Sequence, residues 1–169
     1  SLDNSVIIND ITAGCADSRI VDVVAEAGAV FVAMHMRGTP STMQSLTDYE
    51  DVVAEVAEAL QERAEVLVKR GISPERLILD PGFGFAKSAE QNFRLLAHLE
   101  KICELGFPVL SGVSRKSMIY KLLGTSPSDD ATLQGTKILN YQALCSGATI
   151  LRVHDVKEAV EIVDLFNNK

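Results

Sequence analysis

Short runs that are apolar at every position alternate along the chain with longer segments whose apolar residues recur at helical spacing. Continuous apolar runs rich in Val and Ile are typical of strands buried on both faces of a parallel sheet. The five runs that fit this description cover residues 5–9, 30–34, 77–79, 109–111 and 149–153. Regular alternation of strand and helix segments predicts an α/β fold with right-handed crossovers.

Capping residues and glycines mark the predicted helix ends. Three pairs have the spacing of a capping box, with a Ser, Thr or Asp three positions before a Glu or Gln: Thr47 with Glu50, Ser88 with Gln91, and Asp155 with Glu158. Glycines are expected just beyond the helix ends, at Gly28, Gly71, Gly106, Gly124 and Gly147. No low-complexity linker interrupts the pattern, so we expect residues 1–169 to form a single domain.

Five strand–helix units leave two architectures open. One is a complete five-stranded, doubly wound domain. The other is a partial (β/α)8 barrel of about five parallel strands, because a closed barrel has eight strands and typically about 250 residues, whereas this chain has 169. A partial barrel would expose strand edges and apolar surface, and we expect it to associate with itself or with a segment that carries the missing strands.

Charge and cysteine content narrow the choice of partners. The net charge of −7 provides no overall field that would attract nucleic acid or an anionic membrane. No apolar run approaches the roughly 20 residues that a bilayer-spanning helix needs. The three cysteines are an odd number with unrelated spacings, which predicts free thiols in a reducing compartment, the cytoplasm, with neither a disulfide framework nor a metal site.

Polar side chains follow each predicted strand at its carboxyl end, where ligands bind in barrels and in open parallel sheets. They include Asn9, His35, Asp80, Ser114 and His154. Five cations also lie within a few residues of these ends: Arg37, Lys87, Arg115, Lys116 and Arg152. In an acidic chain this arrangement predicts an anionic ligand at that edge.

Several of these side chains have a specific chemical use. Asp80 stands between a strand and a Gly-rich turn, where its carboxylate can accept two parallel N–H bonds from a guanidine-like edge, or can cap the turn instead. Residues 114–117 open a helix, where free N–H groups and two cations favour an anion. Arg152 lies within a predicted strand two positions before His154, so both can point the same way, and a diphosphate would compensate the buried charge. Met34 and Phe85 are expected to be packing groups, although either can flank a flat heterocycle.

Taken together, the motifs resemble those of the dihydropteroate synthase family. The matching segments occur in family order and span nearly the whole chain: Ile8-Asn9-Asp10, residues 34–38 (MHMRG), residues 79–87 (LDPGFGFAK), residues 114–117 (SRKS) and residues 152–155 (RVHD). The resemblance implies a (β/α)8 barrel that condenses 6-hydroxymethyl-7,8-dihydropterin diphosphate with p-aminobenzoate to give dihydropteroate and diphosphate in folate biosynthesis.

The resemblance also implies a role for individual residues. It implies catalytic roles for Asp80, Lys116, Arg152 and His154. The implied pterin-binding residues are Asn9, Met34, Asp80, Phe85, Lys116 and Arg152. Diphosphate binding falls to Arg152 and His154, and p-aminobenzoate binding to Phe85, Lys116 and Ser117. In the family, diphosphate is thought to leave the pterin methylene group as a cation forms, and the amine then attacks that cation.

Two departures from the family pattern have consequences. Ala86 stands where the family usually has glycine, which we expect to be tolerated if its φ angle is negative. The chain begins just before the fourth family strand, so the earlier motifs, including the family's Mg²⁺ ligand, have no counterpart here. Mg²⁺ with diphosphate is therefore an implied cofactor without a ligand in this chain, and we expect these residues alone to be weakly active or inactive. Family members are usually homodimers through late helices.

Two other functions compete with this one. A pterin-binding methyltransferase domain shares the barrel and the Asn and Asp positions, but methyl transfer gives no obvious reason for the SRKS and RVHD cations. A non-catalytic pterin-binding half-barrel would keep the site residues without the chemistry, and binding without turnover would distinguish it.

Overall fold

The computed structural model describes residues 6–168, which form five strands, each followed by one or two of seven α-helices. The strands are β1 (Ile7–Asp10), β2 (Val30–Met34), β3 (Leu77–Asp80), β4 (Leu110–Ser111) and β5 (Ile150–Leu151). The helices are α1 (Arg19–Ala27), α2 (Val52–Lys69), α3 (Ala89–Ala97), α4 (Glu100–Cys103), α5 (Ser117–Leu123), α6 (Asp130–Cys145) and α7 (Val156–Asn167). Short 3₁₀ turns cover Met43–Ser45 and Pro74–Arg76.

All strand pairs are parallel, and neighbours in space follow the order of the chain. β1, β2 and β3 form one ladder and β4 and β5 another. A parallel bridge between Leu79 and Val109 joins the two ladders, and the Leu79 amide donates to the Pro108 carbonyl at 2.9 Å. A doubly wound domain reverses direction within its strand order, whereas a barrel does not. The sequential strand order therefore identifies the fold as a partial (β/α)8 barrel and excludes the doubly wound domain.

Successive strand residues point to two different cores, as the two-residue period of a strand requires. Phe31, Ala33 and Leu79 pack in the larger core with apolar side chains of α1 to α4 and α6. Val30, Val32, Ile78 and Leu110, with Ile150 packed against them, form a second core made only of strand residues. Such an inner cluster is the interior of a barrel.

Two of the three predicted capping boxes are wrong. Helix α2 begins after Asp51, whose carboxylate accepts from the amides of Val53 and Ala54, while Glu55 accepts from the Asp51 amide. Asp155 precedes α7 without capping it through its side chain, because both of its carboxylate oxygens bind Arg115. Local spacing could not anticipate these competing partners.

The remaining helix signals hold with smaller changes. Ser88 and Gln91 form the predicted capping box, and Gly28 and Gly124 end α1 and α5 in the left-handed conformation. The helix expected to run up to Gly106 is divided into α3 and α4. Strands β4 and β5 are shorter than predicted, and Ser5 lies outside the described residues. Among residues 6–168, no helix is long and apolar enough to span a bilayer.

Candidate ligand-binding site at the carboxyl ends of the strands

The centre of the site is Asp80, the last residue of β3, which pairs with Met34 at the end of β2. Its side chain is buried, and Oδ1 accepts a 2.8 Å hydrogen bond from the Gly82 amide. The other oxygen, Oδ2, has no hydrogen-bond partner among the described residues. A buried acceptor without a partner is unfavourable by roughly 1–3 kcal/mol, and more when it is charged. Asp80 therefore both caps its turn and keeps one oxygen available for a ligand.

The electrostatic environment of Asp80 is mixed. Burial raises the pKa of the carboxyl group above its usual range. The Gly82 hydrogen bond and the nearby cations Arg152, Lys116 and Lys87 oppose that shift. A ligand that donates N–H groups to Oδ2 would replace the missing solvation and favour the carboxylate further.

Arg152 is the cation nearest to the free oxygen, with Nη2 at 3.5 Å from Asp80 Oδ2. It follows β5 directly instead of lying within the strand as predicted, and its side chain is 39% exposed. The guanidinium lies against Gly112, where a β-carbon would stand only 2.7 Å from Nη2. The absence of a side chain at Gly112 thus lets Arg152 reach Asp80, which is the partner that its charge requires in this structure.

Lys116 and Phe85 form the wall beside Asp80. The Lys116 ammonium lies 4.6 Å from the centroid of the Phe85 ring, within the range of a cation–π contact. Burial lowers the pKa of Lys116, Arg152 lowers it further, and Asp80 raises it. The aliphatic part of Lys116 lies close to Gly84, where a β-carbon would be 3.3 Å from Cδ. A half-buried ring and a partly desolvated cation suit a flat, polar heterocycle.

His154 is positioned by Ser114, one of the polar residues that follow the predicted strands. The buried Ser114 hydroxyl lies 3.0 Å from His154 Nδ1 and also accepts from the His154 amide at 3.2 Å. His154 itself is exposed and lines a cavity of about 330 Å³ with Arg115, Pro127 and Ser128. Ser114 thus positions the imidazole, whereas Arg152 is directed to Asp80.

The three remaining predicted site residues take different positions. Asn9 lies in β1 beside Val32 and is exposed. Met34 is buried at the end of β2, and Ser117 is the half-buried first residue of α5.

Three of the five cations expected to gather around an anion are already paired within the protein. Arg37 binds the Asp48 carbonyl and the Glu55 carboxylate and stacks on the Tyr49 ring. Arg115 donates two 2.8 Å bonds to Asp155. Lys87 is buried among main-chain and imidazole acceptors. All three cations that act on the Asp80 carboxyl are among these five, namely Arg152, Lys116 and Lys87, and Arg152 lies 3.5 Å from its free oxygen.

A buried pair formed by Lys87 and His35, which are 52 residues apart, has no signal in the sequence pattern. Lys87 Nζ lies 3.1 Å from His35 Nδ1 and donates to the carbonyls of Gly82 and Phe85, each also at 3.1 Å. Burial, with the charges of Lys87 and Arg37, lowers the pKa of His35 to about 3, so the imidazole is neutral. Burial lowers the pKa of Lys87 to about 7, against the opposing attraction of Asp80.

Ala86 was expected to be tolerated in place of the family glycine if its φ angle is negative. The φ angle of this buried residue is +50°, so that condition is not met. A non-glycine residue in the left-handed region is strained by roughly 1–2 kcal/mol. The adjoining hydrogen bonds of Lys87 and Asn92, including the 2.7 Å bond from the Gly84 amide to Asn92, hold the loop in this conformation. The family glycine would adopt it without strain.

A metal ion would need a set of converging donor side chains. Among residues 6–168 there is no group of three or more His, Cys, Asp or Glu side chains placed to hold a metal. No step proposed below involves Mg²⁺.

These features define a class: a parallel (β/α)8-type fold whose ligand site surrounds a buried carboxylate at the carboxyl ends of the strands. A family model described as pterin binding enzyme matches residues 4–154. The chain therefore belongs to the pterin-binding enzyme family, and the resemblance found in its motifs is confirmed.

The curated relatives that the chain resembles agree on one activity. The dihydropteroate synthase of Escherichia coli K12 is 44% identical over 155 residues, which are 92% of this chain and 54% of the relative. That of Synechocystis is 42% identical over 156 residues, again 92% and 54%. The chain thus spans about half the length of the curated relatives it matches.

Solved structures of dihydropteroate synthases share the fold of this chain. Dihydropteroate synthase from Thermus thermophilus in complex with 6HMPPP matches with a TM-score of 0.89 at 38% identity, over 96% of this chain and 63% of that one. The same enzyme in complex with 4-aminobenzoate gives 0.90 at 37% identity, over 98% and 66%. The Yersinia pestis enzyme with a sulfonamide drug gives 0.91 at 36% identity, over 98% and 59%.

Proposed function

We propose that this chain forms the pterin-binding part of a dihydropteroate synthase. The observation that carries the proposal is the buried Asp80 Oδ2, which has no hydrogen-bond partner among the described residues and lies 3.5 Å from Arg152. A dihydropterin presents an amino group and a ring N–H side by side, and a carboxylate with a free oxygen accepts from such an edge. The half-buried Phe85 and the Lys116 ammonium would bound the flat ring.

The proposed reaction breaks the bond between the pterin methylene carbon and the diphosphate oxygen. A carbon–nitrogen bond to the amine of p-aminobenzoate then forms, and the amine loses a proton. Asp80 would stabilise the developing cation, because a carboxylate in a poorly solvated site acts strongly on nearby charge. Arg152 and His154 would bind the departing diphosphate, a role for which methyl transfer gives no obvious reason.

Asp80→Ala is expected to weaken the binding of 6-hydroxymethyl-7,8-dihydropterin diphosphate well over tenfold, because a charged, paired contact contributes on the order of 2–4 kcal/mol. Isothermal titration calorimetry on this chain measures the effect. Asp164→Ala, which removes an exposed carboxylate on α7, is the matched control. Equal affinity in the two variants would rule out Asp80 as the pterin ligand.

We further propose that residues 1–169 alone turn substrate over weakly or not at all, since they span 54% of the matched relatives. The expected partners are the two small-molecule substrates, a second copy of the chain, or a segment that carries the missing strands. The odd number of cysteines and their unrelated spacings support a reducing compartment, which we take to be the cytoplasm. Full turnover by a sample whose mass corresponds to these residues alone would disprove the proposal that they are weakly active or inactive.

A further inference from the structure

The loop 81–86 connects Asp80 to α3 and carries two parts of the proposed site. The Gly82 amide fixes Asp80 Oδ1 at 2.8 Å, and Phe85 supplies the ring beneath Lys116. The Phe85 amide donates to the Gly82 carbonyl at 3.1 Å, which closes the turn. The position of this loop therefore sets both the direction of the free carboxylate oxygen and the wall that a planar ligand would contact.

The Lys87 side chain donates hydrogen bonds to two carbonyls of this loop. The residue is 6% exposed, and Nζ lies 3.1 Å from three acceptors: the Gly82 carbonyl, the Phe85 carbonyl and His35 Nδ1. An ammonium has three N–H donors and a neutral amine has two. Only the protonated form of Lys87 can satisfy all three acceptors, provided that the imidazole carries its proton on Nε2.

Three titratable or charged groups surround the Lys87 ammonium. The titratable and charged groups that act on it are His35 and Arg37, which follow β2, and Asp80 at the end of β3. His35 is neutral, Arg37 disfavours the ammonium, and Asp80 favours it. Burial disfavours the charged form most, so the proton is held less firmly than on an exposed lysine.

We propose that Lys87 is a positioning residue: its ammonium fixes the loop 81–86, and the site around Asp80 and Phe85 takes its binding geometry only while that ammonium keeps its proton. This inference deepens the proposed function and rests on it for the identity of the ligand. Lys87 does not contact the ligand in this scheme. It acts through the Gly82 and Phe85 carbonyls.

The proposal makes ligand affinity and folding stability respond to pH in opposite directions. Above about pH 7, the pKa of Lys87 in the folded chain, loss of the proton releases one acceptor and weakens ligand binding. Folding behaves differently, because the pKa of Lys87 in the unfolded chain is 10.5. Between these values the unfolded chain binds more protons, so this group makes the free energy of unfolding rise with pH.

The experiment combines calorimetry and NMR on the whole chain. 6-Hydroxymethyl-7,8-dihydropterin diphosphate is titrated into the unsubstituted chain, Lys87→Met and Lys101→Met from about pH 6 to about pH 9. Lys101 is an exposed lysine on α4 and serves as the matched control. The ¹³Cε shift of Lys87 and the amide signals of residues 82–86 are followed over the same range without ligand.

The expected result is an affinity that falls up to about tenfold per pH unit above the Lys87 midpoint, as coupling to one proton requires. Lys87→Met should bind at least about tenfold more weakly near pH 6 and should lose this slope, whereas Lys101→Met should keep it. Lys116 also has a lowered pKa, but its contribution remains in Lys87→Met and is separated in this way.

Amide signals of residues 82–86 should change with the midpoint of the Lys87 shift. If they stay constant through that midpoint, or if Lys87→Met keeps the original affinity and slope, the proposal is overturned and the proposed function stands. If the unsubstituted chain binds no pterin at any pH, the proposed function fails for this chain, and the ligand-free amide signals still decide the role of Lys87. They also decide it if Lys87→Met does not fold.

Discussion

At the scale of single residues, close backbone approach shapes the site. Gly82 has φ +69°, and a β-carbon there would overlap the His35 carbonyl oxygen. The loop after β3 can therefore lie against the end of β2 only because this position has no side chain. That approach also brings Lys87 within reach of His35.

Gly82→Ala is expected to destabilise the chain by on the order of 3 kcal/mol or more, because steric overlap adds to the strain of a positive φ angle. Gly106→Ala is the control: φ is +84°, but a β-carbon at this position would have no neighbouring atom within 4 Å. It should lose only about 1 kcal/mol from strain. Urea unfolding measures both, and equal losses would contradict the importance of the His35 contact.

His35 should make stability depend on acidity. Its pKa falls from 6.5 in the unfolded chain to about 3 in the folded one. The unfolded chain therefore binds a proton that the folded chain does not, and the contribution is complete above about pH 6.5 and is lost as the pH falls toward about 3.

Between about pH 6.5 and pH 4, we expect the free energy of unfolding to fall on the order of 3 kcal/mol more for the unsubstituted chain than for His35→Gln. Glutamine keeps an acceptor for Lys87 but does not titrate. His98→Gln, at an exposed histidine, is the matched control. Urea unfolding at several pH values gives the comparison, and parallel curves for the chain and His35→Gln would refute a buried neutral imidazole.

At the scale of elements, helix starts are set by whichever side chain reaches the free amides. Ser88 accepts from the Gln91 amide at 3.2 Å, and Gln91 accepts from the Ser88 amide at 2.8 Å. Ser18 also stands at a helix start, before α1, but makes no capping bond through its side chain. The two serines thus provide a comparison within one molecule.

Ser88→Ala should therefore lower the free energy of unfolding by about 1 kcal/mol, the usual effect of losing an N-cap. Ser18→Ala should change it by less than about 0.5 kcal/mol. Thermal unfolding of both variants provides the test. A loss at Ser18 as large as that at Ser88 would show that the capping geometry of α3 has no special effect.

Tertiary partners redirect other elements at the same scale. Asp155 fits the sequence pattern of a cap for α7, yet it binds Arg115 with both oxygens. The pair ties the loop after β4 to the start of α7, directly after His154 in the chain. The element boundaries follow local signals, but the assignment of side chains to partners follows from the packing of β4 against β5.

At the scale of the whole molecule, the sheet leaves apolar surface open at its β5 side. Side chains of β5 and α7 line a cavity of about 710 Å³, among them Leu151, Val160 and Phe166. Val156, Val160 and Leu165 of α7 are also more than half exposed. Exposed apolar surface of this kind favours association.

We expect the chain to self-associate in a concentration-dependent manner, as measured by sedimentation velocity. Val160→Lys should weaken association by about tenfold or more, since a buried charge opposes contact between apolar surfaces. Val23→Lys, at an exposed position of α1, is the control and should have little effect. A chain that stays monomeric at all concentrations would contradict the expectation.

The sequence by itself determined the elements and the edge at which the ligand would bind. Apolar runs give the strands because each buries both faces, and polar residues such as Asp80 follow them because the strand ends face solvent or ligand. The Ser88 cap and the glycine stops at Gly28 and Gly124 were equally predictable, since each depends on residues a few positions apart.

Only the tertiary structure decided the strand order, the partners of the cations and which oxygen of the buried Asp80 carboxylate has no hydrogen-bond partner among residues 6–168. These depend on contacts between residues far apart in sequence, such as Ser114 with His154, 40 positions apart, and His35 with Lys87, 52 positions apart. Local spacing carries no information on such distances. The burial that lowers the pKa of Lys87 and leaves Asp80 Oδ2 free arises only when the strands assemble.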